Sequence, residues 1–197
     1  MLDSRERIID AAARLFGEHG VAGTTTRRIA EVAGVNEVTI FRLFGSKAAL
    51  LEEVTRTQVG APPPAPLPTH PVEPLPEVAS WCAARLAWLR GSPDVARRCF
   101  TEARAHPELV CDVPQQVALG AAELRDYAER LRQAGLAPAG GDVVAASAML
   151  VSALLSDALA RADLPDVFPG STEAAPERYA RAFLTILGAQ GGVMRAA

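Results

Sequence analysis

The sequence predicts an all-α chain of about nine helices, and three observations carry that reading. Apolar residues recur at three- and four-residue spacing, punctuated by capping residues and glycines. Aromatics make up only 5% of the 197 residues, and the two-residue alternation of strands is hard to find. One proline-dense stretch separates a short N-terminal helical group from a longer C-terminal one. The composition, 49% apolar and 22% charged, sits near globular averages and excludes a disordered tail, a collagen-like chain or a disulfide mini-scaffold. No run approaches the ~18–20 unbroken apolar residues of a membrane span, and MLDSRERIID lacks the basic-then-apolar order of a signal peptide. The expectation is therefore a cytoplasmic chain without a membrane partner. Three cysteines (Cys82, Cys99, Cys111) in no CxxC pairing argue against a disulfide framework.

Asp3 and Glu6 form a capping-box pattern for a first helix carrying Ile8, Ile9, Ala12, Leu15 and Phe16, which Gly20 ends. Thr24 or Thr25 starts a second helix with Ile29, Ala30 and Val32. Ala33-Gly34-Val35 is a tight turn. Asn36 caps a third helix that ends near Phe44-Gly45, and Ser46 caps a fourth with Leu50, Leu51 and Val54 on one face.

Residues 61–76 hold eight prolines, which predicts a semi-rigid connector without helix or sheet, able to reach roughly 50 Å at ~3.1 Å per residue. Beyond it, helices are expected from Glu77 to about Arg90 and from Ser92-Pro93, as cap and first turn, to about Ala105. Others run from near Pro114 to Ala134, from Asp142 to Ala162, and from about Glu173 to Gln190. The Asp142–Ala162 segment is apolar nearly all round, so it must be covered on several sides. The last two helices are accordingly the candidate subunit interface. The implied organisation is a short-helix N-terminal unit at 1–56, the end of a connecting helix plus linker at 57–76, and a long-helix C-terminal unit at 77–197.

Residues 24–44 have helix-turn-helix form. Small Ala30 sits where two helices must cross, glycine sits in the turn, and Ile29, Val35 and Ile40 supply the apolar contacts that fix the angle. The second helix would then project its N-terminal side chains into a major groove. The net charge of −3 is unhelpful by itself, but residues 1–56 are neutral and the excess acidity lies wholly in the remainder.

Residues 5–54, from the Ile-x-x-Ala-Ala-x-x-Leu-Phe run through Thr24-Thr25-Thr26-Arg27, Ala33-Gly34-Val35, Thr39-Ile40-Phe41 and Ser46-Lys47 to Leu50-Leu51, resemble the N-terminal domain of the TetR family of transcriptional regulators. The resemblance implies a three-helix DNA-binding domain followed by a helical domain that binds a small molecule and dimerises through its last two helices. It implies that Thr25 and Thr26 hold a phosphate at a helix start, and that Arg27 reads guanine. Asn36, Glu37, Val38 and Thr39 become the base-reading candidates, with Glu37 accepting from cytosine and Val38 or Thr39 touching a thymine methyl. Lys47, the chain's only lysine, falls where many relatives place a lysine on phosphate. Two positions depart from the family: Phe41 replaces its usual tyrosine and Leu43 its frequent tyrosine or histidine, so neither donates to phosphate. Anchoring is then expected from Thr25, Thr26, Arg42, Ser46 and Lys47. Phe41 and Phe44 read as core, and Arg14 and Arg28 as solvated.

Relatives of this kind are dimers whose recognition helices stand ~34–36 Å apart. The implied function is a repressor released from a palindromic double-stranded operator by a small-molecule effector. An activator or protein-controlled regulator of the same fold is the alternative, and a helical-bundle enzyme the remote one. Trp81, Arg85, Trp88, Phe100, Met149 and Ser152 combine apolar bulk with a few polar groups and are the candidate ligand contacts. No GxSxG, P-loop or HExxH occurs, and His19, His70 and His106 lack zinc spacing, so no enzyme activity, cofactor or metal is expected. The cysteines are expected to be inert, with thiol sensing as the lesser reading.

Overall fold

The computed structural model describes residues 3–59, 66–107 and 111–189. Among them run nine helices and no strands: α1 Ser4–Gly23, α2 Thr26–Ala33, α3 Glu37–Phe44, α4 Lys47–Gln58, α5 Pro74–Arg90, α6 Pro93–Glu102, α7 Val113–Gln133, α8 Val143–Ala160 and α9 Ala175–Ile186. The expected end of the last helix at Gln190, and residues 61–65 of the expected connector, lie outside the described residues.

The chain divides into two compact units, one of residues 1–61 with 89–114 and one of 62–88 with 115–197. This differs from the linear division at residues 56 and 77, because α6 returns to pack against α1 and α4. In the first unit, Ile8, Ala12, Phe16, Ile29, Ile40, Leu50 and Val54 are closed off from solvent. The Asp3–Glu6 capping box forms. At Gly20 the backbone turns to φ 67°, ψ −171°, a conformation that is essentially glycine's alone, and Val21–Gly23 resume the helix. Here α6 takes hold of α1. Val21 N–H donates to Glu102 Oε2 (2.8 Å), while Arg98 donates to the Gly17 and Glu18 carbonyls (3.1 and 2.8 Å) and to Glu102 Oε1 (3.2 Å). Pro93 stands in the first turn of α6 as expected, but Ser92 makes no capping bond; its hydroxyl lies 3.4 Å from Gln58 Oε1.

In the second unit, the described part of the proline-rich stretch is bound, not free to span. Leu67 is buried and its N–H donates to Glu123 Oε1 (2.7 Å), and Arg130 donates to the Pro68 and Leu67 carbonyls. A proline-rich backbone has no regular ladder for its carbonyls, so side chains of α7 satisfy them. The helix also starts earlier than expected, at Pro74, since Pro74 and Pro76 fall in a first turn whose N–H groups need no partner. Glu77 accepts from the Tyr127 hydroxyl and from the Val72 and Glu73 N–H groups.

Helices α8 and α9 pack together. α8 is long and apolar enough to cross a membrane by length and composition, but its Asp157 is wholly buried and held by Arg161 (2.9 Å) and the Tyr179 hydroxyl (2.5 Å). Its remaining surface is open: Val144, Ala148, Met149, Ser152 and Ser156 are exposed, as are Ala182, Thr185 and Ile186 of α9.

Candidate nucleic-acid interface

The helix-turn-helix is assembled by caps. Thr25, extended at φ −98°, ψ 148°, accepts from Arg28 N–H (3.2 Å) and starts α2. α2 ends where Gly34 adopts the left-handed conformation (φ 64°, ψ 42°) and Val35 N–H bonds back to the Ala30 carbonyl (3.0 Å). Asn36 then accepts from Val38 N–H (2.9 Å) and opens α3. Ile29, Ala30, Ala33 and Ile40 are buried at the crossing. Thr26 ties the two helix starts together by donating to Glu37 Oε1 at 2.5 Å.

These contacts sort the predicted residues. Thr25, Asn36 and Ser46 each use only an acceptor lone pair in capping, so their O–H or N–H donors stay available to phosphate or base. Thr26 does not: its one hydroxyl proton is engaged by Glu37, and only its backbone N–H is left to hold an anion. The same bond holds Glu37 near the helix start, where its charge also suits the helix dipole. Arg27 is exposed and pairs with Glu31 one turn on (3.2 Å), a weak surface ion pair that DNA can displace. Val38 is 71% exposed, the most open apolar side chain on α3, with half-buried Thr39 beside it. Arg42 is exposed.

One expectation needs correction. Phe41 is not core; at 48% exposed it lies one turn beyond Val38 on the outer surface, because α3 has only one buried side, filled by Ile40. Phe44 is half-buried, with the Arg5 guanidinium 5.2 Å from its ring centre. Lys47 does begin α4, but its ammonium donates to the Val21 carbonyl at 2.7 Å. Val21 is therefore held from both sides, by Glu102 at its N–H and by Lys47 at its carbonyl. Sequence spacing missed Glu102 and Arg98, which reach α1 from about eighty residues away.

The candidate ligand contacts do not form one set. Glu123 gathers Trp81 Nε1 (2.9 Å), Arg85 (2.7 Å) and Leu67 N–H, and Arg85 stacks on the Trp81 ring at 4.7 Å. Trp81 lines a cavity of about 530 Å³ with Pro66, Leu67, Glu73, Glu77 and Ser80. Trp88 belongs to the same helix, and its buried indole N–H has no protein partner among the described residues. Phe100 is exposed on α6, in the other unit. Met149 (60% exposed) and Ser152 stand on the open side of α8, because the helix is packed through its other face. Those three are corrected out of the pocket.

Residues 8–54 match the family described as bacterial regulatory proteins of the tetR family. Over 52 residues the chain is 48% identical to an uncharacterized HTH-type transcriptional regulator, YvkB of Bacillus subtilis, covering 26% of this chain and 28% of that one. It is 41% identical over 49 residues to the tetracycline repressor protein class D of Escherichia coli, covering 25% and 22%. The chain thus matches little more than a quarter of the length of the curated relatives. A TetR transcriptional regulator from Agrobacterium tumefaciens superposes with a TM-score of 0.62 at 20% identity, covering 94% of both chains. An HlyIIR mutant protein gives 0.65 at 17%, covering 93% of this chain and 97% of that one. At these identities the structural likeness is one of fold.

Proposed function

We propose that the chain, whose residues 8–54 match the tetR family of bacterial regulatory proteins, is a non-enzymatic, ligand-responsive TetR-family repressor acting on a palindromic operator in the cytoplasm. The observation that carries the reading is the outward start of α3. There Asn36 and Thr39 keep hydrogen-bonding capacity, Val38 and Phe41 form an exposed apolar strip, and Arg27 and Arg42 are also exposed. An apolar strip among polar groups suits thymine methyls in a major groove, with arginine suited to guanine.

The open side of α8 and α9 supports a homodimer. Small Ala148, Ser152, Ser156 and Ala182 beside Met149 and Ile186 give a surface that a second copy can approach closely. Dimerisation places two recognition helices on half-sites one helical turn apart. The cavity beside Trp81 is the candidate effector site, and an effector preferring one spacing of the two headpieces releases DNA by differential affinity for the two states. Selection from a random duplex pool with the full chain tests this. Enrichment of a palindrome is expected, and retention of unrelated sequences alone would overturn it.

A further inference from the structure

The cavity beside Trp81 carries charge of one sign on its walls. Pro66, Leu67, Pro68, Pro76, Trp81 and Ala84 make most of the lining apolar, and the charged side chains that line it are Glu73 and Glu77. At about 530 Å³ it falls within the range of small-molecule sites. Trp81 spends its indole N–H on Glu123, so it offers a ligand only apolar and π surface. The N-terminus of α5 would ordinarily draw an anion, but Pro74 and Pro76 have no N–H to give. The Val72 and Glu73 N–H groups both donate to Glu77 Oε1 (2.9 Å each), and the Glu77 N–H goes to the Glu73 carbonyl (3.2 Å). The nearby guanidinium groups are engaged too: Arg85 pairs with Glu123 at 2.7 Å, and Arg130 donates to the Pro68 and Leu67 carbonyls. Glu73 differs from all of these. It is exposed, and its carboxylate makes no hydrogen bond or ion pair among the described residues.

We propose that this cavity takes a lipophilic organic monocation, a quaternary ammonium, a phosphonium or a protonated amine with a bulky apolar body. Its charge lies against Glu73 while its apolar part packs on Trp81 and the proline wall. The inference rests on the reading of this cavity as the effector site and adds the sign of the effector's charge. Glu77 already accepts from the Tyr127 hydroxyl and two backbone N–H groups, so Glu73 is the carboxylate left to meet a ligand, which favours one positive charge over two. An anion of the same shape would meet two carboxylates there. A neutral compound would cover the Glu73 carboxylate without pairing it, at a desolvation cost. A cation instead gains attraction that strengthens as water is displaced from between the charges.

Isothermal titration calorimetry of the full chain with tetraphenylphosphonium and with tetraphenylborate tests this, because the two ions share size, shape and apolar surface and differ in the sign of charge. Tetraphenylphosphonium is expected to bind at least ~tenfold tighter. Glu73→Gln should weaken it at least ~fivefold. Asp126→Asn removes an exposed α7 carboxylate that does not line the cavity, and should leave the affinity within ~twofold. If the Glu73 variant fails to fold, the comparison of the two ions on the unaltered chain decides the matter. Equal affinity for both ions, tighter binding of tetraphenylborate, or binding of neither overturns the proposal, as does equal weakening by Glu73→Gln and Asp126→Asn. Failure of the effector reading looks different: tetraphenylphosphonium would bind with dependence on Glu73 yet leave retention of the enriched palindromic DNA unchanged.

Discussion

Replacing Gly20 by alanine tests whether the break in α1 is held open for α6. Gly20 has φ +67°, and an added Cβ would stand 2.1 Å from Glu102 Oε1. The carboxylate is the end of a flexible side chain and can swing away, but doing so breaks its bonds to Val21 N–H and Arg98. Backbone strain costs about 1–3 kcal/mol, and losing a hydrogen bond to a charged group about 1.5–3 kcal/mol. The total expected for Gly20→Ala is about 2.5–6 kcal/mol. Gly45→Ala is the comparison: its φ is +78°, but nothing lies within 4 Å of the new Cβ, so strain acts alone. In a Glu102→Ala background the contact is already gone, so Gly20→Ala should cost only its strain, a non-additivity of about 1.5–3 kcal/mol. Urea unfolding followed by far-ultraviolet circular dichroism gives each value from the midpoint at constant slope. Tryptophan emission arises from α5 alone and reports the other unit. Equal costs of Gly20→Ala in both backgrounds would refute the account of Glu102.

Arg27→Ala should relax preference at one base pair by about 1–3 kcal/mol, read by competition between operator variants; equal weakening on random DNA would contradict base readout. Lys47→Ala should destabilise the first unit by about 1 kcal/mol, because the Val21 carbonyl loses a donor. It should also flatten the salt dependence of DNA affinity by about one unit, and an unchanged slope removes Lys47 from the phosphate contacts. Glu77 supplies a pH dependence. Burial opposes its charge, but the bonds from Tyr127, Glu73 and Val72 prevail and hold its pKa below the ordinary 4.5. The unfolded chain therefore binds the proton more readily, so this stability is present above pH 4.5 and is lost as pH falls through the lower folded value. Glu77→Gln should flatten the acid limb of a stability–pH profile; an unaltered limb assigns it to other groups.

The headpiece was legible because its rules are local. Residue type and position mark Asp3, Asn36, Ser46 and one of Thr24 and Thr25 as caps, and Asp3, Thr25, Asn36 and Ser46 each accept a backbone N–H of the helix they open. What escaped depends on contacts between distant segments. Periodicity shows that α8 is apolar, but not which side meets α9, so it cannot set Met149 and Ser152 apart as outward residues. Ser92 has the right residue type for a cap, yet its hydroxyl lies nearer Gln58. Eight prolines describe a stiff segment without revealing that Glu123 and Arg130 bind its backbone. Glu102 and Arg98 read as an ordinary charged helix face until Gly20 opens toward them.

Hydroxyl-radical footprinting of the full chain on its enriched DNA tests the central claim most directly. Two copies bound through outward-facing α3 helices should protect two symmetric half-sites centred about one helical turn, ~34–36 Å, apart. A single unpaired protected patch, or uniform protection without regard to sequence, would contradict the account.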